Sequence, residues 1–365
     1  MNGKMKRKAL ESFLLNPPSI SVEPLYNILN SCSKSFKIFC ILHTATKMRI
    51  FDHLSKKKTI NDLCKNLEVD PDLIHSICKV LANLGLLKEE NGFYKNTEIS
   101  DAYLRAGSPL YQQHVLDDIR NYFELWEKLS EILKNGPITV SEEKFFENHI
   151  NSLSSEALCG ELQRTVKIIV ELPEFGRARK LLDLGGGHGF YSMAFTKWNP
   201  NLKAYVFDFP KVIERTKEYI KKFDAERVEV IPGNFFTDDI GKGYDIVFFA
   251  YNPGGRNPSL VPKIHSSLND GGVFINKHVF YHKGEDSKDP LLDIEWSLMV
   301  WEGVKKRKRI YSFEGDLTFE EYIELLEKYF SIVKIVDASH FAGYPLSKLG
   351  DTLDAKIIIA KKEKV

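Results

Sequence analysis

The sequence predicts an α/β protein: a doubly wound, mostly parallel sheet in the C-terminal half, preceded by an all-α domain that carries a winged helix. Three observations lead there. From about residue 176, short apolar strands alternate with helices, as in a parallel sheet covered on both faces. Residues 181–189, Leu-Leu-Asp-Leu-Gly-Gly-Gly-His-Gly, join a strand to a helix through a glycine turn. Residues 59–95 read as helix, turn, helix and hairpin. The 365 residues allow two full cores, and a hydrophobic content of 43% excludes a disordered chain.

In the N-terminal half, apolar periodicity places helices at 25–48 and 110–133. Thr59 or Asn61 caps a short helix, and Asp70-Pro71 opens the next. Leu73, Ile77, Val80, Leu81 and Leu84 share one face of that helix, and Gly85 ends it. Residues 86–88 and 93–95 then pair around an Asn91-Gly92 turn. A winged helix can read DNA, but residues 59–90 hold three Lys or Arg against six Asp or Glu, the wrong sign for phosphate contacts. Tyr111, Val115, Ile119, Tyr122, Phe123 and Trp126 offer more apolar surface than a small monomeric domain buries, so a homodimer through this half is expected.

Several classes are excluded by what the chain lacks. A net charge of +1 gives no case for nucleic acid or an anionic membrane. Lys4, Lys6, Arg7 and Lys8 precede an apolar run that Asn16, Pro17 and Pro18 interrupt, too short for a signal peptide. No stretch approaches a membrane span, and a cytoplasmic protein is expected. Cys32, Cys40, Cys64, Cys78 and Cys159 form no C-x-x-C pair, so neither a disulfide framework nor a metal site is expected.

The C-terminal strands are expected at 181–184, 203–208, 227–231, 244–250, 273–280, 332–336 and 355–360. Helices are expected at 190–198, 210–222, 259–268 and 318–329, with Asn269-Asp270-Gly271-Gly272 closing the third. Ligands of such sheets bind at the carboxyl ends of the strands, near the switch point of strand order. Gly185, Gly187 and Gly189 let backbone approach a ligand closely, and Phe190 replaces the last glycine of a dinucleotide fingerprint. Asp183 just before G-x-G-x-G is instead the pattern of proteins that bind S-adenosylmethionine (SAM). Asp208, 23 residues after Gly185, is placed to accept ribose hydroxyls; its other role is a cap for the 210–222 helix. Gly233, Asn234, Phe235 and Phe236 either read and sandwich an adenine or form a turn with core phenylalanines.

These segments resemble the caffeate- and hydroxyindole-type small-molecule O-methyltransferases from about residue 36 to the end. The carrying stretches are Ile50-Phe51-Asp52-His53-Leu54, Leu81-Ala82-Asn83-Leu84-Gly85-Leu86-Leu87, the run Asp183 to Gly189, Phe207-Asp208-Phe209-Pro210-Lys211-Val212-Ile213-Glu214, and Gly233 to Phe236. The resemblance implies a Rossmann-like class I methyltransferase domain at 176–365, a winged-helix dimerisation domain at 1–105, and a helical linker at 106–175 serving dimer and pocket. It implies SAM as methyl donor, Asp208 on the ribose, Phe209 beside the cofactor, and a mostly apolar small-molecule acceptor between the domains. Asn234 stands where relatives usually carry Asp.

The proton-handling half departs from the family. Relatives carry His-Asp-Trp after the fourth strand, whereas this chain reads Tyr251-Asn252-Pro253-Gly254-Gly255-Arg256, with no histidine from Phe190 to Pro262. By resemblance, His278 and Asp316 fall where relatives place two orienting acids, and a His278–Asp316 pair would serve as base and orienter. The alternatives are a carbon or sulfur acceptor that needs no strong base, or a SAM-binding regulatory or structural protein. Gly254-Gly255 is expected to leave room for a larger acceptor. Tyr251, Trp296 and Met299 are expected around it. Arg256 and the run Lys305 to Arg309 would hold an anionic group, or else are solvated surface.

Overall fold

The structure, a computed structural model, describes residues 13–341 and 353–363, so the basic residues Lys4, Lys6, Arg7 and Lys8 lie outside it. The chain divides into two compact units, one ending at Gln113 and one starting at His114. No helix among the described residues is long and apolar enough to cross a membrane.

In the first unit a long helix, Glu23–Lys47, leads into a short one, Ile50–His53. Strand β1 is Lys58–Thr59. Thr59, not Asn61, caps the helix Ile60–Leu67, because its hydroxyl accepts from Asp62 N while the Asp62 carboxylate accepts from Thr59 N. Asp70 caps the helix Pro71–Asn83 by accepting from Leu73 N at 2.8 Å. Strands β2, Leu87–Glu90, and β3, Phe93–Asn96, pair antiparallel, in the sheet order β1-β3-β2. Their turn has Asn91 at φ 52° and Gly92 at φ 78°, the left-handed pair that an Asn-Gly hairpin uses. Ile74, Cys78 and Leu81, spaced by four and three residues, are the buried stripe of the second helix; Leu73 and Leu84, expected on that face, are exposed.

The stretch expected as one helix over 110–133 is two, Gln113–Glu127 and Leu129–Asn135, broken at Lys128. Strand β4, Ile138–Val140, and the helices Glu142–Ala157, Glu161–Val170 and Pro173–Arg177 follow. The main sheet is built from β5, Lys180–Leu184; β6, Lys203–Asp208; β7, Val228–Pro232; β8, Tyr244–Ala250; β9, Leu268–Val279; β11, Ser331–Asp337; and β12, Ala355–Lys361. Between the last two groups, β10, Met299–Trp301, pairs in parallel with β4. The helices Phe190–Trp198, Pro210–Lys222, Leu260–Ser267 and Phe319–Glu327 match the sequence expectation closely. Strand β9 starts earlier than expected: Asn269 to Gly272 form an irregularity in its pairing with β8 rather than a separate turn.

The sheet order is β11-β12-β9-β8-β5-β6-β7, parallel from β9 to β7 and antiparallel at β12 and β11. The chain runs outward from β5 to β7, then returns to the other side of β5 with β8. The switch point of strand order therefore lies between β5 and β8, where a ligand crevice is expected.

One consequence concerns the hairpin. Gly92→Ala places a Cβ at φ 78°, and the expected loss of stability is about 1 kcal/mol. Urea unfolding of the whole chain reads this; an unchanged midpoint would show that the turn relaxes freely.

Candidate active site

A cavity of about 270 Å3 opens at the carboxyl ends of β5, β6 and β8, and every residue lining it belongs to the second unit. Its inner end is made by the glycine loop. Gly185, Gly187 and Gly189 have φ 64°, 51° and 74°, conformations that side chains rarely adopt. A Cβ on Gly185 would stand 2.4 Å from the Asn252 amide oxygen, and one on Gly186 would stand 2.6 Å from the Asp183 carboxyl carbon. Asn252 donates to Leu184 O and Ala250 O, both at 3.0 Å, and so ties the ends of β5 and β8 together. On the other side, Gly187 N donates to Asp208 Oδ2 at 2.8 Å and Phe209 N to Asp208 Oδ1 at 2.7 Å.

Three carboxyls crowd this end. Burial pushes Asp183 up to about 7 and Asp208 up to about 6, and burial together with the Asp208 charge pushes Glu142 up to about 7. Ser192 serves Asp183, donating its hydroxyl at 2.8 Å and its backbone N–H. A pyrophosphate would meet these like charges, whereas a cation relieves them. SAM fits on both counts: its sulfonium and ammonium are cationic, and the bare Gly187 leaves open space beside the loop.

Of the residues expected to hold a cofactor, Asp183, Gly185, Gly187, Asp208, Phe209 and Phe235 line the cavity. Gly189, Gly233 and Asn234 do not. Gly189 begins the helix Phe190–Trp198, with Thr216 2.9 Å from where its Cβ would be. Gly233 lies against the Phe207 ring. The Asn234 side chain accepts from Phe236 N at 2.9 Å and so serves the turn.

The outer end is aromatic. Trp296 and Trp301 have ring centroids 5.5 Å apart, Trp301 and Phe145 are 5.0 Å apart, and Tyr311 and Phe313 close the box around Trp296 at 5.7 and 5.5 Å. Met299 and Trp301 are set in place by the β4–β10 pairing. Tyr251, Trp296 and Met299, expected around an acceptor, line this end. Tyr251 and Tyr311 both have left-handed backbones, φ 55° and 52°, and their rings lie 6.3 Å apart. Such strain persists only where the surroundings hold it.

The charged groups at this wall differ from expectation. Of the run Lys305 to Arg309, only Lys306 lines the cavity. Its ammonium donates to Trp296 O at 2.6 Å and Met299 O at 2.8 Å, 3.7 Å above the Trp296 ring, and burial lowers it to about 7. Lys305 pairs with Glu314 in solvent, and Arg309 donates to Glu285 O. Asp118, Glu142, Glu156, Glu161 and Glu295 also line the cavity, so its titratable lining is mainly acidic. His149, on the helix Glu142–Ala157, stacks on Phe145 at 4.1 Å and contacts Asp118 through Nε2 at 3.1 Å. Sequence reading passed over Glu142, Asp118 and His149. The available signal was the spacing of Phe145, His149, Ser152 and Glu156, which share one face of a helix.

Three expectations are corrected. The His278–Asp316 pair does not form. Asp316 Oδ2 accepts from Arg256 Nη2 and from Phe313 N, both at 2.9 Å. His278 is buried with neither ring nitrogen hydrogen-bonded, outside the cavity lining and flanked by Tyr251, Tyr311 and Phe280. Burial, reinforced by the Arg256 charge, holds its pKa well below the usual imidazole value and keeps it neutral. Arg256 in turn is 1% exposed and also donates to Tyr311 O, Ser312 Oγ and Leu317 O, so it is a structural cation rather than a grip for an anionic acceptor. Nor does Gly254-Gly255 leave free room: a Cβ on Gly254 would stand 2.4 Å from Leu260, and one on Gly255 2.6 Å from the His278 ring.

Comparison with known proteins agrees with this architecture. Residues 138–311 match the family profile of the O-methyltransferase domain, and residues 31–106 that of the O-methyltransferase dimerisation domain. An uncharacterized protein of Methanocaldococcus jannaschii is 39% identical over 96% of this chain and 100% of its own length. Human acetylserotonin O-methyltransferase is 26% identical over 76% of this chain and 86% of its own. The crystal structure of human N-acetylserotonin methyltransferase in complex with SAM superposes with a TM-score of 0.66 at 21% identity, covering 96% of this chain and 100% of that one.

The Arg256–Asp316 pair makes a sharp prediction. Arg256→Met leaves the Asp316 carboxylate buried without its partner, and the expected loss of stability is about 3–5 kcal/mol. Denaturant unfolding measures it. A stable variant with only a weakened acceptor KM would return Arg256 to the binding site.

Proposed function

The chain belongs to the O-methyltransferase family and is a SAM-dependent methyltransferase of small molecules, and from that premise we propose that its acceptor is a flat, largely apolar aromatic molecule without an anionic group. The observation that carries this reading is one continuous cavity with a carboxylate-rich glycine loop at one end and a box of tryptophans, tyrosines and phenylalanines at the other. Aromatic walls favour a flat ring, by burial and by edge or offset stacking. The acidic lining disfavours a carboxylate or phosphate on the acceptor.

SAM supplies an electrophilic methyl group on a sulfonium. The protein's work is to hold the donor, align the acceptor and exclude water. Asp208 keeps free lone pairs on both oxygens after its two backbone bonds, enough to take the ribose hydroxyls. Asp183 and Glu142 supply the negative field that a sulfonium and an ammonium need. Phe209 and Phe235 offer apolar surface at the same end. For the N-terminal unit we propose a homodimer, supported by the dimerisation profile and by Leu25, Tyr26, Ile28, Leu29 and Phe36, all more than half exposed on one helix.

Two measurements test the reading. Incubation with methyl-labelled SAM and a panel of hydroxylated and carboxylated aromatics should label the uncharged members. Asp208→Asn should weaken SAM binding about 10- to 100-fold by calorimetry, the value of a charge-assisted hydrogen bond. Preference for carboxylated acceptors would overturn the proposal.

A pH profile is a third test. Carboxyls raised to between about 6 and about 7 in the free protein are ionised more readily once a cation binds. Binding then releases protons, so SAM affinity rises with pH through that window and levels off above it. S-adenosylhomocysteine, which lacks the sulfonium charge, should show a shallower rise. Equal slopes for the two ligands would show that the carboxyls do not face the sulfonium.

A further inference from the structure

A phenolic hydroxyl has a pKa near 10, and its methylation at neutral pH gains from a base aimed into the cavity. The residues expected for that task are spent elsewhere: Asp316 is held by Arg256, and His278 is sealed behind Tyr251 and Tyr311. His149 is the histidine, besides His188 at the glycine loop, that lines the cavity.

Its surroundings fix how it can act. Nδ1 lies 2.6 Å from Phe145 O, one helical turn back, and a carbonyl can only accept, so Nδ1 carries a proton. The neutral ring therefore has its lone pair on Nε2. That atom lies 3.1 Å from Asp118 Oδ1, and Asp118 Oδ2 accepts from the Ser152 hydroxyl at 3.0 Å. A carboxylate fixed beside Nε2 stabilises the imidazolium once a proton arrives there. The ring is also held flat against Phe145, which packs on Trp301 of the acceptor box. Asp118 and His149 come from different helices, Gln113–Glu127 and Glu142–Ala157, so their approach is a product of the fold.

We propose that His149 is the general base for this methyl transfer and that Asp118 is its positioning residue. This rests on the methyltransferase reading of the same cavity. The acceptor O–H bond breaks as the oxygen forms its bond to the methyl carbon. The S–CH3 bond breaks with its electron pair left on sulfur, and the proton ends on His149 Nε2, where the imidazolium charge lies beside the Asp118 carboxylate. The other titratable groups at this wall are Tyr122, Glu156, Glu295, Tyr311 and Lys306. Burial raises both tyrosines, which keeps them protonated and unsuited to take a proton.

The test compares methyl transfer from labelled SAM to 2-naphthol and to 2-naphthalenethiol, whose lower pKa leaves less for a base to do. His149→Gln and Asp118→Asn are measured beside the wild type, with SAM affinity by calorimetry and thermal unfolding as controls. His149→Gln should lower kcat on the naphthol by about 10²- to 10⁴-fold and on the thiol by less than about fivefold, with SAM affinity kept. The fall of wild-type naphthol turnover at acid pH should vanish in His149→Gln, and Asp118→Asn should shift it. Equal losses on both acceptors, an unchanged pH profile, or no loss at all would overturn the proposal. So would a wild type that binds SAM but labels neither compound, because the cavity would then present no hydroxyl to His149. A wild type that fails to bind SAM would sink the methyltransferase reading itself.

Discussion

The close seat of the glycine loop between Asn252 and Asp183 is the constraint on which the rest of the site depends. Gly185 has no room for a Cβ on the Asn252 side, and Gly186 none on the Asp183 side. Any side chain there would push β5 away from β8 or turn the buried Asp183 out of its place. With both glycines seated, Gly187 N is aimed at Asp208, and the ends of β5, β6 and β8 are locked in one layer. A binding crevice at the switch point of a parallel sheet needs just this: fixed strand ends and backbone that a ligand can approach.

The same tightness explains the chemistry next door. The segment after β8 must supply Asn252 to the loop and then turn through Gly254 and Gly255, which pack on Leu260 and His278 without space for larger residues. Arg256 emerges beneath them and is buried with four acceptors around it. A buried guanidinium requires a carboxylate, and Asp316 answers it. After β8 this chain has a buried ion pair beside a neutral histidine. Its role is to hold the 311–317 segment, including Tyr311 with its left-handed backbone, against the sheet. Stability and catalysis compete for the same few residues, and here stability has them.

Much of this was legible from the sequence where the cause is local. Thr59, one of the two caps the sequence offered, Asp70 before Pro71, Asn91-Gly92 and the glycine run each decide their structure within a few residues. The strands and helices from 180 to 250 also follow from short-range apolar pattern. What sequence could not show depends on burial between distant elements. Arg256 and Asp316 are 60 residues apart, and nothing in either segment says that they meet. The run Lys305 to Arg309 reads as one charged patch, yet Lys306, bridged to Phe313, alone enters an aromatic box. Helix periodicity shows that Phe145, His149, Ser152 and Glu156 share a face, but not that the face looks into a cavity.

The distribution of charge within the cavity decides what kind of molecule belongs there. At the glycine loop, buried Asp183 and half-buried Asp208 and Glu142 all resist ionisation, and a cation relieves them. At the outer end, the ammonium of Lys306 already has two carbonyls and two indole faces. Charges satisfied by the protein exert little pull on a ligand, whereas uncompensated ones exert much. The field therefore falls from strong at the donor's end to weak at the acceptor's end. A cationic donor is drawn inward, and the proposed neutral ring would fill the aromatic box.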